Sequence, residues 1–181
     1  MELIIIAWEF SFLYELQELH NPILNTLMIA ITKLGDGGVF WIAVGVICLF
    51  FKKYRKMGLQ VLIAMLITYI IGNLILKNMF ARLRPCDIDT TITMLISRPH
   101  GHSFPSGHSM NGMVAALTLF LNNKKIGIPA LILATLIGFS RMYLFVHFPT
   151  DVLGGFAVAA VVAIMVDYLF RKFYTKMCIL S

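Results

Sequence analysis

The sequence predicts an all-α protein, a compact transmembrane bundle of up to six helices. Two observations carry that prediction. The chain is 59% hydrophobic and only 13% charged, with a mean hydropathy of +0.85; in ordinary soluble domains about a quarter of residues are charged. Too little polar surface remains to cover a water-soluble globule, so the solvent for most of the chain is lipid. The apolar residues also fall into runs bounded by basic clusters and polar breaks, the pattern of a polytopic membrane protein. The 181 residues make one domain, 1–181.

Residues 1–20 predict an amphipathic helix in the membrane interface, since Glu9, Glu15, Glu18 and His20 interrupt its apolar positions. The opening Met1-Glu2, with no basic residue before the apolar stretch, does not resemble a signal peptide. Asn21-Pro22 breaks this helix. Residues 22–34 are apolar but short for a span, which needs about 20 residues, and Gly35-Asp36-Gly37-Gly38 predicts a turn. Residues 39–51 run into Lys52-Lys53-Tyr54-Arg55-Lys56, and 57–80 predict a strong span. Residues 81–106 are polar. Apolar runs over 107–121, 126–146 and 149–170 complete the bundle. Gly155, Ala159 and Ala163, four residues apart, predict close helix packing.

Of the fifteen basic residues, Lys52, Lys53, Arg55, Lys56, Lys124, Lys125, Arg171, Lys172 and Lys176 share one set of helix ends, which the positive-inside rule makes cytoplasmic. The six others, Lys33, Lys77, Arg82, Arg84, Arg98 and Arg141, fall on the outer side, against the rule. Anion binding is the natural reason for cations placed there. The net charge of +6 does not point to nucleic acid, because the cations flank hydrophobic runs instead of forming a stripe. Cys48, Cys86 and Cys178 are far apart, with no metal-ligand spacing and no disulfide framework.

Three clusters on the outer side carry chemistry. Lys77 ends a span, and Arg84 precedes Pro85, which disfavours helix at Arg84 and lets both cations turn toward one point. Ser106, in Pro105-Ser106-Gly107-His108, suits a helix N-cap; the free N–H groups behind it suit an oxyanion, and Gly107 permits close approach. The plain alternative is an ordinary capped helix with a solvent-facing His. In the third cluster Ser140-Arg141 ends a span, and His147 stands just before Pro149. Asp151, four residues on from His147, can hold one imidazole nitrogen and leave the other as a base or nucleophile; here the plain alternative is a capping Asp. Three cations, two histidines, a helix start and a carboxylate on one side match the needs of phosphoryl transfer.

The pattern Lys77-x6-Arg84-Pro85, Pro105-Ser106-Gly107-His108, Ser140-Arg141-x5-His147-x3-Asp151 resembles the type 2 phosphatidic acid phosphatase (PAP2) superfamily, with all three motifs in order. The resemblance implies that Lys77, Arg84 and Arg141 bind phosphate oxygens, with hydrogen bonds added by Ser106 and Gly107. It implies that His147 attacks phosphorus, that Asp151 orients His147, and that His108 protonates the leaving group and later activates water. It implies no cofactor and no metal, since three fixed cations can do the charge work of Mg²⁺.

The expected activity is hydrolysis of a lipid phosphate or pyrophosphate at the outer face of the cell membrane. Undecaprenyl pyrophosphate leads as substrate, followed by phosphatidylglycerol phosphate and phosphatidic acid. A lipid phosphotransferase and a non-catalytic transporter are the competing classes. The expected partners are the lipid substrate and membrane lipids, with no nucleic acid and no obligate protein partner. His100 and His102 read as loop residues, Arg82 and Arg98 as headgroup or interface residues, Asp36 as a turn residue, and Asp167 as the i,i+4 partner of Arg171.

Overall fold

The computed structural model describes residues 2–177, with side chains described for 7–173. Cys178 and the side chain of Lys176 lie outside the described residues; Cys48 and Cys86 are free. The described residues form seven helices and no strand: α1 (Glu2–Glu18), α2 (Pro22–Lys33), α3 (Val39–Phe50), α4 (residues 55–80), α5 (Gly107–Asn122), α6 (Lys124–Tyr143) and α7 (Pro149–Met177). One helical turn, Pro85–Ile88, stands in the polar segment between α4 and α5. Among the described residues three stretches are long and apolar enough to cross a membrane: Arg55–Ile88, Lys124–Tyr143 and Pro149–Phe173. The pair Pro22–Lys33 and Asp36–Phe50, bent by 41° at its break, qualifies as a fourth, broken span. Counting that pair as one reconciles seven helices with the expected six.

Local chemistry explains the boundaries. Asn21 caps α2, its Oδ1 accepting from the Leu24 N–H at 3.0 Å, with Pro22 at the first helical position. The Gly-rich turn forms, with Gly37 at φ +58° and Gly38 at φ +70°. α4 ends at Phe80, where Ala81 turns left-handed at φ +46°, and Arg84 is extended before Pro85, as its position before a proline predicts. The middle of α4, Tyr69–Leu76, is π-helical, which no feature of the sequence foretold.

α5 lies at the centre, against α4, α6 and α7. At 16 residues it is short of a full span, because it starts inside the bundle: Ser106 and Ser109 are fully buried. Small residues make its close contacts. A Cβ on Gly155 of α7 would stand 3.0 Å from the Ser106 carbonyl oxygen, and Ala159 and Ala163 are buried on the same stripe. The opposite face of α7 exposes Leu153, Val161 and Ile164, as a lipid-facing surface requires. Asp167 and Arg171 pair at 2.7 Å, as their spacing predicted.

Buried residues form two apolar clusters. One fills the middle of the bundle around Trp41, Val61, Val114 and Ile137. The other packs Leu13 and Leu16 of α1 and Met28 of α2 against the connection 144–148. That connection is buried throughout, so its backbone polar groups must find partners inside the protein. Several do: the Val146 carbonyl accepts from Arg84 Nη1 at 3.0 Å, and the Phe148 N–H donates to Asp151 at 2.8 Å. The scaffold that carries His147 is therefore a packed core element.

Candidate active site

A cavity of about 300 Å³ opens where α4, α5, α6 and the turn after α2 meet. Lys77, Arg84, Gly107, His108, Arg141 and His147 all line it. These are six of the eight positions singled out in the sequence. Asp151 stands behind His147, and Ser106 stands behind Gly107, where its hydroxyl accepts from the Ser109 hydroxyl at 2.9 Å. Ser106 thus forms the expected N-cap of α5 but does not line the cavity.

His147 sits between two opposite charges. Its Nε2 is 3.0 Å from Arg84 Nη1. Arg84 can only donate, so Nε2 presents its lone pair and the ring proton is on Nδ1. Nδ1 lies 3.4 Å from Asp151 Oδ2, too long for a well-formed hydrogen bond, and has no other partner among the described residues. Burial, with Arg84 and Arg141 adding to it, pushes the His147 imidazole down to about 3, against the pull of Asp151. The ring is therefore neutral at any physiological pH.

Asp151 is itself held on both oxygens. Oδ2 accepts from the Phe148 N–H, and Oδ1 accepts from Arg82 Nη1 at 2.7 Å. Arg82 also donates to Thr150 Oγ1 at 2.7 Å, pairs through Nη2 with Glu9 and lies over the Phe148 ring. Glu9 in turn accepts from the Thr150 N–H at 3.1 Å. Arg82 is thus no headgroup or interface residue but the centre of a largely buried charge network. Glu9, read in the sequence as part of a polar helix face, is fully buried. It shares the inward stripe of α1 with Leu13 and Leu16, at spacings of four and three residues, and that placement is the sequence signal for it.

The remaining cations frame the cavity. Arg84 also donates to the carbonyls of Gly101 at 3.0 Å and His102 at 3.2 Å, so the loop around His100 clasps it. His100 itself lines the cavity. Arg141 donates to Thr32 Oγ1 at 2.7 Å, while its Nε is buried with no partner among the described residues, a donor ready for an anion. Lys77 lies close to the start of α5: a Cβ on Gly107 would stand 3.8 Å from its Nζ and 3.3 Å from Asn73 Oδ1. Tyr69 and Asn73 line the wall with Lys77, four residues apart along the π-helical stretch, a geometry frequent at functional sites. Opposite, His108 Nε2 is 2.8 Å from Asp36 Oδ1. Among the described residues no three His, Cys, Asp or Glu side chains are grouped so as to hold a metal ion.

Three cations, two histidines with carboxylate partners and a helix N-terminus on one concave surface suit a phosphate group. Comparison with known proteins agrees. The profile of the PAP2 superfamily matches residues 57–174. An undecaprenyl-diphosphatase of Sulfolobus acidocaldarius is 36% identical over 138 residues, which are 76% of this chain and 66% of that protein. The undecaprenyl-diphosphatase BcrC of Bacillus subtilis is 32% identical over 154 residues, 85% of this chain and 77% of that protein. A crystal structure of a transmembrane PAP2 type phosphatidylglycerolphosphate phosphatase from Bacillus subtilis superposes with a TM-score of 0.78 at 29% identity, covering 94% of this chain and 88% of that one. The chain belongs to the PAP2 superfamily and is a multi-pass membrane hydrolase of lipid phosphates.

Proposed function

We propose that the protein hydrolyses undecaprenyl pyrophosphate through a phosphohistidine on His147, without a metal, at the extracytoplasmic face of the cell membrane. The observation that carries the mechanism is the Arg84–His147–Asp151 arrangement in a cavity that also holds Lys77, Arg141 and His108. Phosphate oxygens bind Lys77, Arg84, the free Arg141 Nε and the N–H groups at the start of α5. The Nε2 lone pair of His147 attacks phosphorus. The bond from phosphorus to the leaving oxygen breaks, and that oxygen takes a proton from His108. Asp151 stabilises the Nδ1 proton of the charged phosphohistidine, and its 3.4 Å contact tightens as that charge develops. His108, now neutral, takes a proton from water; the hydroxyl attacks phosphorus, the P–N bond breaks and inorganic phosphate leaves.

The likeness to two undecaprenyl-diphosphatases supports the pyrophosphate. The likeness to the phosphatidylglycerolphosphate phosphatase keeps that monoester as the second reading. The excess of Lys and Arg on the opposite helix ends supports the sidedness. The experiment is phosphate release by the detergent-purified protein from undecaprenyl pyrophosphate, phosphatidylglycerol phosphate and phosphatidic acid, with His147→Ala alongside. We expect release by the wild type, fastest from the pyrophosphate, and none by the variant. No release from any lipid would overturn hydrolysis and point to transfer onto another acceptor.

A further inference from the structure

The groups facing His108 set it a problem. Arg141 on α6 and Lys77 on α4 share its cavity, Arg84 and the second histidine His147 stand across it, His100 lies on the overlying loop, and Lys33 at the end of α2 lines an adjoining cavity of about 290 Å³. Burial, and after it the cations gathered to hold a phosphate, oppose protonation of His108. An acid on the leaving-group side must nevertheless carry its proton when the substrate arrives.

Asp36 is the carboxylate in contact with His108, at 2.8 Å from Nε2, and the turn that presents it is shaped around that ring. A Cβ on Gly35 would stand 2.6 Å from His108 Cδ2 and 2.9 Å from Ile137 Cγ2, so no larger residue fits there while the ring stays in place. Gly37 and Gly38 are left-handed, which reverses the chain directly after Asp36. A Cβ on Gly38 would meet Met65 Cε at 2.9 Å and Asn111 Nδ2 at 3.2 Å, one turn of α5 beyond His108. An ordinary surface turn needs none of these contacts. Among the described residues the hydrogen bond of the His108 ring is made at Nε2, which leaves Nδ1 for the substrate.

We propose that Asp36 is a positioning residue for His108: its carboxylate fixes the ring through Nε2 and favours its protonated form against burial and the phosphate-binding cations, so that it can act as the acid. This rests on the reading of His108 as proton donor given above. The carboxylate side chain is 64% exposed, so its pull on the proton is modest.

The test is the pH dependence of kcat/KM for the wild type, Asp36→Asn, Asp36→Glu and His108→Ala, on whichever of the three lipids the wild type turns over fastest. A carboxylate raises the pKa of its histidine, so losing it lets His108 shed its proton at lower pH. In Asp36→Asn the alkaline limb should move down by roughly 0.3–0.7 pH unit, the size expected of a partly exposed ion pair, with activity converging on wild type toward acid pH. Asp36→Glu should restore the limb. In a His108→Ala background, Asp36→Asn should have no further effect. An unchanged profile, a uniform fall at all pH values, or an equal fall in both backgrounds would overturn the role of Asp36. Absence of wild-type turnover, or turnover surviving in His147→Ala, would instead overturn the underlying reading.

Discussion

His147 is 2% exposed, on a buried connection, with Arg84 on one side and Asp151, itself fully buried, on the other. His108 has a side chain 20% exposed and rests on a carboxylate that is mostly in water. One wall of the cavity is thus dry and over-determined, and the other is wet and held by a single turn. The difference matches the tasks proposed for the two histidines. A nucleophile must be neutral and aimed, so burial, which disfavours a charged imidazole, works in its favour. An acid that exchanges protons with water in every cycle needs access to water and only a moderate bias toward its charged form.

Substitutions on the two walls should therefore differ in kind. The largest expected effect is on the dry wall: His147→Ala should reduce phosphate release by about 10⁴-fold or more, as loss of a nucleophile does elsewhere. Residual turnover above one per cent would break the comparison at its root. Next, Arg82→Met removes a cation paired with two fully buried carboxylates, leaving Glu9 and Asp151 uncompensated. Loss of one partner from a buried pair costs about 3–5 kcal/mol, to be read as a lowered unfolding midpoint in detergent. Asp36→Asn on the wet wall should stay within roughly 0.5 kcal/mol of wild type in the same assay; equal losses would erase the distinction between the walls.

Smaller than the loss of His147, His108→Ala should slow the reaction by about 10²–10³-fold, and less for a leaving group that departs without a proton. Comparing p-nitrophenyl phosphate with an alkyl phosphate ester checks this. The smallest effect is one of pH. Because burial sets the His147 imidazole at about 3, the free enzyme keeps its nucleophile unprotonated well below neutrality. Titration of His147 should therefore give kcat/KM no acid limb between pH 7 and about pH 5, in place of the symmetrical bell that two ordinary histidines would produce. The pH profile with a substrate whose own phosphate does not titrate in that range decides it.

Much of this was legible in the sequence. Apolar runs and basic clusters gave the helices and their approximate ends, and three short motifs gave the cavity's three cations and two of its histidines, His108 and His147, because each motif is local; His100, outside the motifs, was read only as a loop residue. What escaped was pairing at long range. Arg82 meets Glu9 across 73 residues, and His108 meets Asp36 across 72. A glutamate among apolar residues reads equally well as facing water or facing a buried cation until the partner is known. Only its place on the Leu13–Leu16 stripe favoured the second. Asp36 between glycines reads as an ordinary turn, because the contact that excludes a side chain at Gly35 comes from α5. The π-helical stretch of α4 has no propensity signature; Gly72, against which Met110 packs, is visible in the sequence but its crowding is not.

The tie between Glu9 and Arg82 bears on how the molecule is made. α1 supplies the counter-charge for an arginine 73 residues further along, which in turn holds an aspartate in the first turn of α7. Until α7 is in place, Glu9 and Arg82 can pair with each other alone, and the proposed nucleophile has no oriented carboxylate behind it. Partly inserted chains should therefore be silent toward lipid phosphates, and deletion of residues 1–9, however dispensable an interfacial helix looks, should leave an unbalanced charge beneath the proposed reaction centre.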